Sequence, residues 1–322
     1  GDGLMDLVVA DIGEFNANDT DLGRVVWLRR KADSEKFEPS GLSVNLSRVA
    51  DVLPGDFAGD GDLDLLGGVF GWSDSGRTIL LENQGAAAGQ LPEFALREID
   101  ERHGPSHVPP VDLNGDGHLD FVALISQDHE VVEAFINDGK GSFENQVIYQ
   151  APDPAYGSSG IQLVDMDDDG DLDVLYTNGD SFDRGAKPYH SVQWLENGGS
   201  YPYLHHHLCE MPGVLNAKAG DFDGDGDVDI VAASLLGKGA ASLLAKEADL
   251  QLKSPDIASV VMLIQTSPGE FQRTKVESRT HQHISLAPGD FDGDGRLDFA
   301  VGNFLREVGP GDPDLVIWWN ES

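Results

Sequence analysis

The segment DFDGDGDVD, residues 221–229, decides the fold, because its nine-residue pattern occurs five times along the chain. The other full copies are DFAGDGDLD at 56–64, DLNGDGHLD at 112–120, DMDDDGDLD at 165–173 and DFDGDGRLD at 290–298. A partial copy, DGLMD at 2–6, matches the last five positions. Self-similarity at a spacing of about 50 residues is typical of solenoids, propellers and arrays.

The pattern reads D-x-[D/N]-x-D-G-x-[L/V]-D, with oxygen-bearing side chains at positions 1, 3, 5 and 9 and glycine at position 6. It is close to the start of an EF-hand loop, where positions 1, 3 and 5 supply side-chain oxygens and position 7 supplies a backbone carbonyl. Hard oxygen donors favour calcium over zinc, copper or iron, and magnesium demands a stricter geometry. Polar turns without a metal are the alternative, since Asp and Gly favour turns for conformational reasons. Five copies, each followed by an apolar run, favour about five to six Ca²⁺ ions, one per loop.

The expected ligands are the side chains at positions 1, 3, 5 and 9 and the backbone at position 7. They are Asp2 and Asp6 in the partial copy; Asp56, Asp60, Asp62 and Asp64; Asp112, Asn114, Asp116, His118 and Asp120; Asp165, Asp167, Asp169, Asp171 and Asp173; Asp221, Asp223, Asp225, Asp227 and Asp229; and Asp290, Asp292, Asp294, Arg296 and Asp298. Position 7 varies among Asp, His and Arg, as expected if only its carbonyl coordinates. Ala58 replaces the position-3 carboxylate, so its loop is expected to bind most weakly, with water in place of the missing ligand.

Composition narrows the choice of partner. The formal net charge is −36, and 57 acidic residues outnumber 21 basic ones. Phosphate binding needs clustered Lys and Arg, so nucleic acid is not an expected partner, and neither is an anionic membrane surface. No apolar run approaches the roughly 18 residues that membrane insertion by a helix requires. Cys209 is the only cysteine, which excludes a disulfide framework, a CxxC zinc site and covalent haem attachment.

The spacing of apolar segments predicts an all-β chain. A second strand is expected after each loop, and further strands complete a unit of four strands in about 55 residues, which is one blade of a β-propeller. The second strands are predicted at 24–30, 78–83, 131–138, 191–197, 259–265 and 314–320, and third strands at 141–149 and 269–278. A single propeller over 1–322 then has repeat units 1–48, 49–105, 106–157, 158–213, 214–282 and 283–322. The segment 237–251, rich in Ala, Leu, Lys and Glu, predicts a helical insertion that is either a partner-binding elaboration or a tolerated excursion.

The succession of an FG-like strand, DxDGDGxxD and VxWLEN resembles the FG-GAP and VCBS repeat proteins. These are calcium-loop propellers that include integrin α-chain heads and many large secreted bacterial proteins. The resemblance covers essentially the whole chain and implies calcium in the loops and an extracellular or periplasmic location. It also implies seven blades in the intact protein, with fusion to further domains absent from this chain. It says little about function.

Two other groups of residues invite a functional interpretation. His103, His107, His205–His207, His281 and His283 lie beside predicted inner strands, and either form a catalytic or transition-metal site or are satisfied locally. Around the loop 165–173, the fourth when the partial copy is counted, lie Tyr156, Arg184, Tyr189, His190 and Trp194. These residues suit carbohydrate stacking or packing between blades. Trp27, Trp194, Trp318 and Trp319 are interpreted as equivalent second-strand positions, which favours packing.

The leading hypothesis is a non-enzymatic, calcium-stabilised binding module that presents loops to a protein or polysaccharide. No catalytic residue and no organic cofactor site is assigned, because no G-x-S-x-G, HExxH, P-loop or dinucleotide motif occurs. One alternative is a sugar-active lyase or dehydratase that uses the His and Tyr side chains. The other is an accessory domain of a fused, cytochrome-containing redox protein.

Overall fold

Every complete aspartate loop joins two antiparallel strands, and repetition of this hairpin builds the whole fold. The structure is a computed structural model, and it describes residues 3–14, 18–32, 34, 36–86, 91–182, 185–236, 257–278, 282–304 and 313–321. The chain divides into two compact units, Gly1–Pro154 and Ala155–Ser322. Each unit contains three antiparallel sheets, numbered here 1 to 6 in chain order.

The described residues of the unit Gly1–Pro154 form twelve strands. Sheet 1 consists of β1 (Leu7–Asp11), β2 (Gly23–Arg30) and β3 (Phe37–Leu46). Sheet 2 consists of β4 (Val49–Gly55), β5 (Asp64–Val69), β6 (Arg77–Asn83) and β7 (Phe94–Asp100). Sheet 3 consists of β8 (Pro105–His107), β9 (Pro110–Val111), β10 (Asp120–Ile125), β11 (Val131–Asn137) and β12 (Phe143–Gln150).

The first strand of sheet 3 is broken into β8 and β9 by Pro109 and Pro110. Proline has no N–H to donate to a ladder. The two short strands still pair with the same neighbour, β10. Together they therefore fill the place that one strand fills in sheet 2.

The unit Ala155–Ser322 contains eleven strands in its described residues. Sheet 4 consists of β13 (Gly160–Val164), β14 (Asp173–Thr177), β15 (Ser191–Glu196) and β16 (Leu204–Glu210). Sheet 5 consists of β17 (Val214–Gly220), β18 (Asp229–Ser234), β19 (Val260–Ser267) and β20 (Glu270–Glu277). Sheet 6 consists of β21 (His283–Gly289), β22 (Asp298–Asn303) and β23 (Leu315–Trp318).

The core lies between successive sheets within each unit. Strands β5, β10, β14 and β18 are buried along their whole length, so their side chains on both faces are shielded from solvent. This explains why the segment after each loop is continuously apolar instead of alternating. One cluster joins Val25 of sheet 1 to Ile79 of sheet 2, and another joins Trp194 of sheet 4 to Val261 of sheet 5.

The prediction of an all-β fold made of propeller blades, six of them in this chain, is confirmed. The predicted second and third strands agree with the observed ones to within two residues at each end. Residues 237–251, the predicted helical insertion, lie outside the described residues. The part of the chain that the structure describes contains no helix, and hence none that could span a membrane.

Candidate metal centres in the aspartate loops

The first aspartate of each complete loop organises the backbone that follows it. In the loop 56–64, Oδ1 of Asp56 accepts the N–H groups of Gly59 and Asp60 at 2.8 and 3.1 Å, and Oδ2 accepts that of Gly61 at 3.0 Å. Asp112 and Asp290 accept the same three bonds, and Asp165 and Asp221 accept part of the set. The backbone therefore curls around this carboxylate and turns the later ligand positions toward it.

The glycine at position 6 allows the chain to close this curl. The φ angles of Gly61, Gly117, Gly170, Gly226 and Gly295 lie between +86 and +99°. A side chain is strained in that region, whereas glycine is not. The position-5 aspartate then accepts the N–H of position 7 through Oδ1 in all five complete loops, at 2.8–3.1 Å.

The ninth-position aspartate connects the loop to the second strand of its sheet. The aspartates at this position are at most 1% exposed in all five complete loops: Asp64, Asp120, Asp173, Asp229 and Asp298. Its Oδ1 accepts an N–H from the end of the second strand at 2.7–2.9 Å. Its Oδ2 accepts the position-2 N–H at 2.9–3.2 Å. Burial raises the pKa of Asp64, Asp120, Asp173 and Asp229.

The partial copy shares this connection. Oδ1 of Asp6 accepts the N–H of Arg30 at 2.8 Å, and Oδ2 accepts Nε1 of Trp27 at 2.9 Å. Asp6 therefore takes the structural role of the ninth position. Asp2, the other predicted ligand of this copy, lies outside the described residues.

An asparagine at the end of the second strand completes the framework, and the sequence analysis did not single it out. In Asn83, Asn137, Asn197 and Asn320, the N–H meets the ninth-position carboxylate and Nδ2 donates to the position-8 carbonyl at 3.0–3.3 Å. Nδ2 of Asn137 also donates to the Phe57 carbonyl of the preceding loop at 2.9 Å. The available signal was the asparagine that recurs at the end of four of the six second strands; Arg30 and Gln265 take its place in sheets 1 and 5.

Three loops bring predicted ligands together into carboxylate clusters. They are Asp165 with Asp167 and Asp173, Asp221 with Asp223 and Asp225, and Asp290 with Asp292 and Asp294. In each cluster the ligand atoms lie within 4.8 Å of one another. All three loops belong to the unit Ala155–Ser322.

Two observations show that these clusters suit a hard cation. The buried Oδ1 atoms of Asp167 and Asp227 have no hydrogen-bond partner. Loss of solvent, with the neighbouring Asp225 carboxylate, raises the pKa of Asp227 to about 6. Loss of solvent, with Asp169 nearby, also raises the pKa of Asp167. A cation would offset the repulsion between the carboxylates and would bind the Oδ1 atoms that have no partner. Sites made only of oxygen donors are the kind that calcium takes.

The two complete loops of the unit Gly1–Pro154 form no such cluster among their described residues. The loop 56–64 has Ala58 at position 3. In the loop 112–120, Nδ2 of Asn114 donates to Oδ2 of Asp116 at 3.0 Å, so the position-3 side chain already has a hydrogen-bond partner in the position-5 carboxylate. The imidazole of His118, at position 7, occupies the space that a Cβ atom at Gly139 would need.

Five of the histidines named above, His103, His107, His205, His206 and His283, have local partners, and His207 is exposed on β16. The His103 ring contacts that of His129, with 4.8 Å between centroids. Nε2 of His205 lies 2.5 Å from Oε1 of Gln193, and the buried His283 lies 2.7 Å from both Glu277 and Asn303. His107 contacts Ser106, and His206 contacts Glu196 and Trp194. His281 lies outside the described residues.

The aromatic residues near the fourth loop divide into two kinds. Tyr156 and Tyr189 stack with centroids 5.3 Å apart, and Tyr189 is 38% exposed. Trp194 is a core residue. His190 is fully buried, and burial lowers its pKa to about 4. Arg184 lies outside the described residues.

The interpretation of the four tryptophans as equivalent is wrong for two of them. The backbone N–H that meets the ninth-position aspartate belongs to Arg30, Asn197 and Asn320 in sheets 1, 4 and 6. Trp27 and Trp194 both precede that residue by three positions. Trp318 and Trp319 precede it by two and one, and therefore occupy different registers.

A cavity of about 410 Å³ lies within the unit Ala155–Ser322. Its lining includes Pro188, Cys209, Met211, Ile257 and Arg273. Nε of Arg273 donates to Sγ of Cys209 at 3.1 Å. Burial nevertheless raises the pKa of the thiol, so the thiol form dominates at neutral pH.

Comparison with known proteins supports the interpretation of the repeats. The model of the FG-GAP-like repeat matches residues 112–176, and that of the FG-GAP repeat matches residues 284–304. Both matches are to repeats of the FG-GAP type, and each covers part of the chain. The two segments contain three of the five complete loops. No curated protein matches this chain.

Two solved structures are similar to this chain. A thermostable family-43 glycoside hydrolase is 7% identical, with a TM-score of 0.42 over 85% of this chain and 91% of that one. The V. cholerae biofilm matrix protein Bap1 is 15% identical, with a TM-score of 0.36 over 74% of this chain and 40% of that one. This chain therefore spans less than half of Bap1. Both TM-scores are low, and neither likeness carries a functional argument.

Proposed function

We propose that this chain is a non-enzymatic, calcium-stabilised propeller module that presents its loops to a protein or polysaccharide partner. The observation that carries the proposal is the ligand framework of the loops. Hydrogen bonds to the carboxylates at positions 1, 5 and 9 aim the oxygens of three loops into clusters with atoms within 4.8 Å of one another. Like charges held this close favour binding of a divalent cation.

The proposed ions act on the hairpins. When bound, Ca²⁺ supplies the positive charge that the clustered carboxylates need. The loop then holds its shape through Asp56, Asp112 and their equivalents, and the ninth-position aspartate transmits that shape to the second strand. Twenty-four of the 57 acidic residues lie in the six loops, so six ions would remove a third of the net charge of −36. Reduced self-repulsion stabilises the compact state.

The partner and the location are also part of the proposal. Large exposed apolar side chains, such as Trp72 at 36%, Phe182 at 46% and Tyr189 at 38%, suit recognition of a sugar or a protein surface. Loops of this type load where calcium is millimolar, which favours an extracellular or periplasmic setting. We also propose that the intact protein contains further domains.

The test is a measurement of bound calcium together with thermal stability. The purified chain is stripped with EDTA, its metal content is measured by mass spectrometry, and its melting temperature is recorded with and without 2 mM calcium. When the free calcium concentration is 100 times the Kd of a site, binding at that site adds about 2.7 kcal/mol to the free energy of unfolding. Several sites would raise the melting temperature by about 10 °C or more. An unchanged melting curve in a verified metal-free sample would overturn the proposal.

A further inference from the structure

Two loops of the same unit offer a matched comparison. The loops 221–229 and 290–298 read DFDGDGDVD and DFDGDGRLD, and differ only at positions 7 and 8. Position 8 changes from Val228 to Leu297, which are both apolar. Position 7 changes from Asp227 to Arg296, which is a difference of two charge units.

The backbones of the two loops are held in the same way. The position-4 N–H donates to position 1 at 2.7 Å in both loops. The position-5 N–H donates to position 3 at 3.2 and 3.1 Å. The position-7 N–H donates to position 5 at 3.1 and 2.9 Å. The ninth-position carboxylates also accept matching bonds. The frameworks differ in that Asp290 also accepts the N–H groups of Asp294 and Gly295.

The side chains at position 7 create opposite electrostatic environments. In the loop 221–229, the Asp227 carboxylate lies beside that of Asp225, and its buried Oδ1 has no hydrogen-bond partner. In the loop 290–298, the guanidinium of Arg296 forms a short ion pair with Oδ2 of Asp294. Nε of Arg296 donates to the Asn320 carbonyl at 3.0 Å. Arg296 therefore places a positive charge beside the position-5 carboxylate of its loop, whereas Asp227 places a negative charge beside the position-5 carboxylate of the other loop.

We propose that the position-7 side chain ranks the calcium affinities of these two loops, with the loop 221–229 the tight site and the loop 290–298 the weak one. This inference rests on the proposed calcium function. Arg296 is an internal cation that shares a ligand with the incoming ion, and repulsion between a divalent ion and a guanidinium at this range weakens binding on the order of tenfold in water. The carboxylate of Asp227 adds attraction of similar size.

The consequence is a graded response to calcium. At an intermediate calcium concentration, the hairpin of sheet 5 is held by an ion, while the hairpin of sheet 6 is held by its own arginine. The hairpin of sheet 6 is thus ordered in both states, because Arg296 ties position 5 to Asn320, two residues beyond the end of β23. The hairpin of sheet 5 depends on the ion, because Asp225 and Asp227 repel each other without one.

The experiment titrates the full chain with calcium by isothermal calorimetry and follows the distribution of ions between affinity classes. Arg296→Gln removes the internal cation at a side chain that is 45% exposed. Arg296→Lys keeps the charge, and Arg77→Gln removes an equal charge at the surface pair with Glu98, far along the chain from either loop. We expect R296Q to bind one calcium ion about tenfold more tightly than the parent chain. The variants R296K and R77Q should bind calcium with the same affinities as the parent chain.

A reciprocal exchange, Asp227→Arg with Arg296→Asp, keeps the net charge and should leave the overall set of affinities close to that of the parent. In that background, Asp221→Ala should remove a weak ion, whereas in the parent it removes a tight one. The inference is overturned if calcium binds but R296Q and R77Q have the same affinities. Calcium binding by none of the folded variants would instead refute the proposed function itself, and the two failures are therefore distinct.

Discussion

Replacing Asn137 by alanine tests the framework that holds two successive loops. This residue is 2% exposed, and its side chain makes four hydrogen bonds. Nδ2 donates to the carbonyls of Phe57 and Leu119 at 2.9 and 3.0 Å. Oδ1 accepts the N–H groups of Gly139 and Gly141, both at 3.1 Å.

Asn137→Ala leaves four backbone groups without their partner. At about 1 kcal/mol for each bond, the free energy of unfolding falls by about 4 kcal/mol. The matched control is Asn83→Ala at the same position of sheet 2. Its side chain is half-buried and makes two such bonds, to the Leu63 carbonyl at 3.1 Å and from the Gly85 N–H at 2.9 Å, so the expected loss is about 1–2 kcal/mol.

The assay is equilibrium unfolding in urea, followed by circular dichroism at saturating calcium. Both variants are compared with the parent chain at the same protein concentration. Equal losses for the two variants, or a loss below about 1 kcal/mol for N137A, would refute the view that the asparagine joins successive loops.

Three further outcomes follow from the structure. Because His190 is buried and its pKa is lowered to about 4, the unfolded chain binds its proton first as the pH falls below about 6.5; stability should drop by about 2 kcal/mol between pH 7.5 and 5, and this part of the drop should be missing in His190→Asn. Ala58→Asp supplies the missing position-3 carboxylate, so calorimetry should show one ion bound on the order of tenfold more tightly; no change would show that position 3 is not a ligand. Cys209 is 5% exposed and has a raised pKa, so a thiol reagent should label the folded chain about 100-fold more slowly than the urea-unfolded chain, and equal rates would contradict the buried placement.

The strand order was accessible from the sequence because each loop fixes two strand ends. Asp64 and Asp120 each begin a buried strand, and the apolar run after each could only be the middle of a covered sheet. Glycine at position 6 was equally readable, since a positive φ excludes most other residues. These local constraints repeat, so one correct assignment extended to all blades.

The side-chain contacts between segments were less accessible. The role of Asn137 depends on the Phe57 carbonyl, 80 residues earlier in the chain, and no local pattern states that proximity. Trp318 was misplaced because its register is fixed by the N–H of Asn320, and letter spacing alone cannot show which residue meets the ninth-position carboxylate. The ion pair between Arg296 and Asp294 was missed because position 7 was taken to act through its carbonyl only.

The most direct test of the account is the number of calcium ions bound by the folded chain at millimolar calcium, measured by mass spectrometry after removal of free metal. The account predicts about five to six ions per chain, lost together with several degrees of melting temperature on chelation. A folded chain that binds no calcium under these conditions, with the same melting temperature in EDTA, would contradict it.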